Sequence, residues 1–184
     1  MIGELPTAFM IDGRRYPIRS DYRAALRVIQ AFNDPELSDG EKCAICLKVV
    51  YTVPVRREHL QQAINKAYWF IGGGDIPKRS AGDVKTLDWE QDECMIFPAI
   101  NKVAGFEVRG CGYMHWFTFL GYFGEMDEGL FTTVMNIRRK RAERKPLEKW
   151  EREFVRRNKR LVDLRTAADK AAEEETEEFL KTIT

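Results

Sequence analysis

The 184-residue sequence contains no apolar run near the roughly 20 residues that a bilayer-spanning helix needs, because Lys48 interrupts the densest one. A membrane-spanning helix is therefore excluded. Met1 to Phe9 has no basic stretch followed by an apolar one, so no secretory leader is read there and the chain is expected in a cytoplasm. With 2 histidines and 4 cysteines, there is little material for metal or redox chemistry. There is no phosphate-binding loop with its lysine and no dinucleotide fingerprint. What is present is a hydrophobic fraction of 44% with 11% aromatic residues, well above the composition of a disordered chain and enough for one domain of ordinary size.

The few candidate reactive groups have plain structural readings. Cys43 and Cys46 share one face of an apolar helix, but a zinc site needs two more ligands, and Cys94, Cys111, His59 and His115 are scattered singly. A redox role would need a thioredoxin-like context, which is lacking. His115, between Met114 and Trp116, reads as a hydrogen-bonded core or interface residue. Gly72-Gly73-Gly74 follows a helix instead of opening one, so it reads as a helix stop and not as a phosphate cradle. Asp88 to Glu93 could hold a divalent ion, but capping already explains acidic groups in a first helical turn. The expectation is a protein that is not an enzyme, with no catalytic, cofactor-binding or metal-ligating residue.

Charge is abundant and nearly cancelled, 30 basic against 29 acidic residues. The cancellation is not local. Residues 1–137 carry 15 basic and 18 acidic groups, residues 138–160 carry 12 and 4, and residues 161–184 carry 3 and 7. The chain reads as a mildly acidic globule, residues 1–137, followed by a basic and then acidic helical arm, residues 138–184.

Hydrophobic spacing makes the globule mainly α-helical. Asp12-Gly13 between Phe9-Met10-Ile11 and Arg15-Tyr16-Pro17-Ile18 predicts a small N-terminal β-hairpin. Ser20 is placed to cap a helix carrying Tyr22, Ala25, Leu26 and Ile29, ended by Asn33-Asp34-Pro35. Ser38 and Glu41 form a capping box, and the helix they open is apolar nearly all round, which predicts a central core position. Leu60, Ile64, Ala67, Tyr68 and Ile71 mark another helix, and residues 72–86 read as a mobile loop. A helix capped by Asp88 is expected to kink or break at Pro98, and further helices are expected over Tyr113 to Phe123 and Leu130 to Ile137. From Pro146 the pattern predicts one long helix almost to Thr184, with Trp150, Phe154, Leu161, Leu164 and Ala168 as its stripe. At 1.5 Å per residue it would be roughly 55 Å long.

The basic run admits two uses. Arg138, Arg139, Lys140, Arg141, Arg144, Lys145, Arg156, Arg157, Lys159 and Arg160 could contact nucleic-acid phosphates. Glu143, Glu148, Glu151 and Glu153 interleave with them, which favours pairing with an oppositely charged helix of a partner or of another copy. Self-association through the arm is thus expected. Aromatics would add contact area: Trp69, Phe70, Trp116 and Phe119 are candidates, most of them reading equally as core, with Trp150 and Phe154 on the arm, alongside Arg138, Arg139, Lys140, Arg141, Arg156 and Arg157.

Several segments in order carry a family resemblance. They are Leu5-Pro6-Thr7, Gly13 to Ile18 with Ser20-Asp21-Tyr22-Arg23, Asp34 to Ser38, Trp69 to Gly74, Asp88 to Asp92, His115 to Phe119, Ile137-Arg138 and Leu147 to Glu151. Together they resemble the bacteriophage "gene product fifteen" family of tailed phages of Gram-positive bacteria. The resemblance implies a non-enzymatic tail morphogenesis protein in the host cytoplasm, similar to tail assembly chaperones. Its implied partners are the tape measure protein and the tail tube protein. The alternatives are a nucleic-acid-binding phage protein using residues 138–160 and a structural component of the tail.

Overall fold

The computed structural model describes residues 3–75, 85–166, 169, 172 and 181. Most of the expected loop, residues 76–84, and most of the arm beyond 166, including Ala168, lie outside the described residues. Strands β1 (Ala8–Ile11) and β2 (Arg14–Pro17) pair antiparallel with Phe9 opposite Tyr16 and Ile11 opposite Arg14. The turn joining them has φ of 45° at Asp12 and 75° at Gly13, the left-handed pair that a two-residue hairpin twisted like its strands demands. Alternation then sends Phe9, Ile11 and Tyr16 inward and leaves Met10 exposed.

Eight α-helices follow among the described residues. Helix α1 (Tyr22–Asn33) is capped by Asp21, whose carboxylate accepts from the Arg23 N–H at 2.9 Å. Ser20, expected as the cap, is instead buried, with its Oγ 2.8 Å from the Tyr113 hydroxyl. Helix α2 (Asp39–Val50) opens on the Ser38–Glu41 capping box as expected. Its predicted central position is corrected: only Cys46 and Val50 are buried. An apolar composition shows that each face can be buried, while burial itself needs a neighbour on each side, and α2 packs on α1 and α3. A 3-10 turn over Arg57–His59 leads into α3 (Leu60–Ile71), which buries Ala63, Ile64, Ala67 and Phe70.

Helix α4 (Glu93–Ala104) contains Pro98 and continues past it, so of the expected kink or break the break does not occur. The carbonyl that Pro98 deprives of a donor belongs to Cys94, and both residues are exposed, so water can replace the lost bond. Helix α5 (Trp116–Gly124) is capped by His115, whose Nδ1 accepts from the Phe117 N–H at 3.0 Å. That leaves Nε2–H to donate to the Pro6 carbonyl at 3.0 Å. The last helices are α6 (Leu130–Ala142), α7 (Lys149–Arg157) and α8 (Lys159–Val162).

The chain divides into two units, Met1–Asp83 with Phe97–Met126, and Val84–Ile96 with Asp127–Thr184. This corrects the expected boundary at residue 137, which falls inside α6. The reason lies in the second unit, where α6 is tied to residues 86–92 by a buried ion pair described below. The first unit is built on aromatic rings: Tyr22 stacks on Phe119 with centroids 4.5 Å apart, and Phe70 stacks on Phe117 at 5.5 Å. Of these, the fully buried Tyr22, Phe70 and Phe119 each contribute roughly 1.5–3 kcal/mol through the water they shed.

The single long helix from Pro146 is likewise corrected. Helix α7 stops at Asn158, whose φ of −124° and ψ of 38° leave the helical region and whose side-chain amide donates to the Phe154 carbonyl at 3.0 Å. Helix α8 stops at Asp163, which is extended. Asparagine competes for backbone hydrogen bonds in this way even where apolar spacing continues.

Candidate partner-binding surfaces

Arg138 lies on the inward face of α6 in the second unit, 5% exposed, and is not a surface group. Its Nη1 and Nη2 donate to the Asp92 carboxylate at 2.6 and 2.9 Å. Nε donates to the Val162 carbonyl at 2.8 Å, Nη2 to the Leu161 carbonyl at 2.6 Å and Nη1 to the Thr86 carbonyl at 2.9 Å. All the donors of a guanidinium are thereby used. Asp92 also accepts from the Asp88 N–H at 3.0 Å. The two C-terminal carbonyls of α8 would otherwise be unsatisfied, so Arg138 is both the counter-ion of Asp92 and the cap of α8. As a partner-binding candidate it is corrected to an internal clip.

Part of the rest of the basic run is paired inside the chain. Lys140 pairs with the buried Glu151 at 2.6 Å, Arg141 with Asp163 at 2.7 Å, Lys145 with Glu143 at 2.7 Å and Arg157 with Glu153 at 2.6 Å. The hydrogen bond from Lys140 is the main reason the Glu151 carboxyl sits below its ordinary range, helped by the Glu148 backbone N–H. Arg139 donates to Asn136 Oδ1 at 2.9 Å, and Arg156 is 3.9 Å from Glu153. Two of these pairs join α6 to α7 and to the residue after α8 within one copy, while most of the acidic tail that pairing between copies would use lies outside the described residues. Arg139, Arg141, Arg156 and Arg157 are exposed, and Lys140 is half-buried.

Among the described residues of this unit, the exposed aromatic stands on helix α7. Trp150 is 53% exposed and its indole N–H donates to Glu148 Oε2 at 2.7 Å, which fixes the ring on the surface. Phe154, one turn on, is half-buried. Glu148 and Glu151 also close a capping box, the Glu148 N–H donating to Glu151 Oε2 at 2.8 Å.

The two tryptophans of the first unit part ways. Trp116 is 1% exposed, stacks on Phe119 and donates its indole N–H to the Ile71 carbonyl at 3.0 Å, so it is corrected from contact residue to core. Trp69 is half-buried and lines a shallow groove of ≈ 420 Å³ with Pro6, Phe9, Asn65 and Lys66. It meets Phe9 edge-on at 6.2 Å. Spacing alone could not separate these rings, since each follows an apolar helix pattern.

Two features escaped the sequence reading. Asp92 is fully buried, and only the fold brings it to Arg138. Arg19, Arg23 and Arg27 line a second groove of the first unit with Tyr113; their four-residue spacing was the available signal.

No helix among the described residues is long and apolar enough to cross a membrane. Comparison with known families makes the chain a bacteriophage protein. A family model described as Bacteriophage Gp15 protein matches residues 1–164, and the chain belongs to that family. No curated protein and no solved structure matches it.

Proposed function

We propose that this phage protein is a tail assembly chaperone, which binds the tape measure protein, aids assembly of the tail tube and works in the host cytoplasm without catalysing a reaction. The observation that supports this reading is α7, where Trp150 stands exposed among charges of both signs: Glu148, Glu153, Arg156 and Arg157. An amphipathic helix of a partner is recognised by such a face, the ring supplying apolar contact and the charges setting register. Within Arg138 to Arg160 much of the positive charge already has an internal carboxylate, which leaves fewer cations for phosphates.

Co-expression with the tape measure protein tests the reading. The expected outcome is a tape measure kept in solution and recovered with this chain, with Trp150→Ala reducing the recovery. No gain in solubility and no co-purification would reject it. Presence of the chain in purified virions favours a structural tail component instead, and salt-sensitive binding of DNA or RNA favours the nucleic-acid reading.

A further inference from the structure

Within the first unit, a groove of ≈ 590 Å³ at the start of α1 is lined by Ile18, Ser20, Ala24, Cys111, Gly112 and Tyr113. Arg19, Arg23 and Arg27 also line it, against one carboxylate, Asp21. That carboxylate is fully engaged, accepting from the Arg23 and Met114 backbone N–H groups at 2.9 and 3.1 Å and from Arg23 Nη1. The groove therefore holds three guanidiniums and a single, internally satisfied anion.

The three arginines are held differently. The two N–H groups of Arg19 Nη1 are shared among the carbonyls of Lys48, Val49 and Tyr51, at 2.9, 3.0 and 2.7 Å, which fixes the guanidinium without neutralising it. Arg23 is fixed by Asp21 and by the carbonyls of Arg109 and Cys111 at 3.1 and 2.7 Å. Arg27, one helical turn further, is exposed and makes no ion pair or side-chain hydrogen bond among the described residues. At the rim the Tyr113 ring is 57% exposed while its hydroxyl is tied to Ser20.

We propose that this groove docks an acidic segment of a protein partner, its carboxylates received by Arg19 and Arg27 and its apolar side chains by Tyr113. Two of the cations are already immobilised by carbonyls, so little side-chain entropy remains to be lost on binding. Arginine with a fixed, exposed tyrosine is the composition of a protein interface core. A nucleic acid would need a row of cations along successive phosphates, whereas this charge is confined to one groove with an aspartate within it. The proposal does not depend on the tape measure reading.

The test is fluorescence anisotropy of a labelled peptide of alternating glutamate and alanine, with a lysine–alanine peptide and a single-stranded DNA of equal length as comparators. The full chain is expected to bind the glutamate peptide, to bind it more weakly as salt rises, and to leave the lysine peptide free. Arg27→Glu, a change at an exposed position, is expected to weaken binding roughly tenfold, and Tyr113→Ala to weaken it also. Arg15→Glu, on the exposed side of β2, serves as the matched charge reversal and is expected to change little. Circular dichroism verifies that each variant is folded. The proposal is overturned if the glutamate peptide does not bind, if Arg27→Glu and Arg15→Glu act alike, or if DNA binds more tightly through Arg27 than the peptide does.

Discussion

Arg138 and Asp92 meet fork to fork at 2.6 and 2.9 Å, with side-chain exposures of 4% and 0%. A buried pair of this kind contributes little over an apolar pair of the same shape, but breaking it strands a charge. Asp92→Ala is expected to destabilise the second unit by about 3–5 kcal/mol, measured by urea unfolding. Arg138→Lys should also destabilise, because an ammonium cannot present five donors as a planar fork. A loss below about 1 kcal/mol for Asp92→Ala would show that the pair is hydrated in solution.

Two helix ends make opposite predictions. Gly73 closes α3 at φ of 74°, and a Cβ there would lie 2.7 Å from Leu120 Cδ1, so Gly73→Ala should lower stability by about 1–2 kcal/mol or more. Arg144 closes α6 in the same left-handed region, φ of 56°, where the Lys145 N–H donates to the Lys140 carbonyl at 2.8 Å and the Arg144 N–H to the Arg141 carbonyl at 3.1 Å. Arg144→Gly should raise stability by about 1 kcal/mol. Thermal melts of the two variants moving in the same direction would contradict the assignment.

The thiols should separate by accessibility. Cys94 is exposed and should react promptly with a thiol reagent. Cys46 is fully buried, and burial pushes its thiol up to about 12 from an ordinary 9.0. It should remain unmodified until the chain unfolds. The raised value favours the neutral thiol in the fold, so its contribution to stability is present below 9.0 and fades as pH rises towards about 12.

Glu107 offers a titration marker. Hydrogen bonds from the Arg109 guanidinium, at 2.9 Å, hold its carboxyl down to about 2 from an ordinary 4.5. The sign follows for a depressed carboxylate: its stabilising effect is present above 4.5 and is lost as pH falls through about 2. Carboxyl carbon shifts followed by NMR should show this midpoint, and Arg109→Gln should return it towards the ordinary value. Both side chains are 48% exposed, so added salt should weaken the effect.

Elements whose signal is local were legible in the sequence. Asp12-Gly13 needs no tertiary context to turn a hairpin, and Ser38 with Glu41 needs none to open α2. What depends on a distant partner was not. Ser20 looked like a cap until Tyr113, far along the chain, claimed its hydroxyl. The arm from Pro146 has helical spacing throughout, yet Asn158 and Asp163 divide it, and the carbonyls freed at 161 and 162 go to Arg138. The surface residues followed the same rule. Counting charges located the basic segment, but which cation is spent internally and which is displayed is set by three-dimensional pairing: Arg138 is inside and Arg156 outside.

The ties from Arg19 have one more consequence. Its backbone N–H donates to the Val50 carbonyl at 2.7 Å, its guanidinium reaches the Tyr51 carbonyl 32 residues away, and the Thr52 N–H returns to Pro17 at 3.1 Å. Helices α1 and α2 lie between these fastenings, so the start of α1 and the end of α2 are held together at the base of one loop. Their amides should exchange with solvent deuterium as one cooperative block, released together when the loop's base opens and not turn by turn.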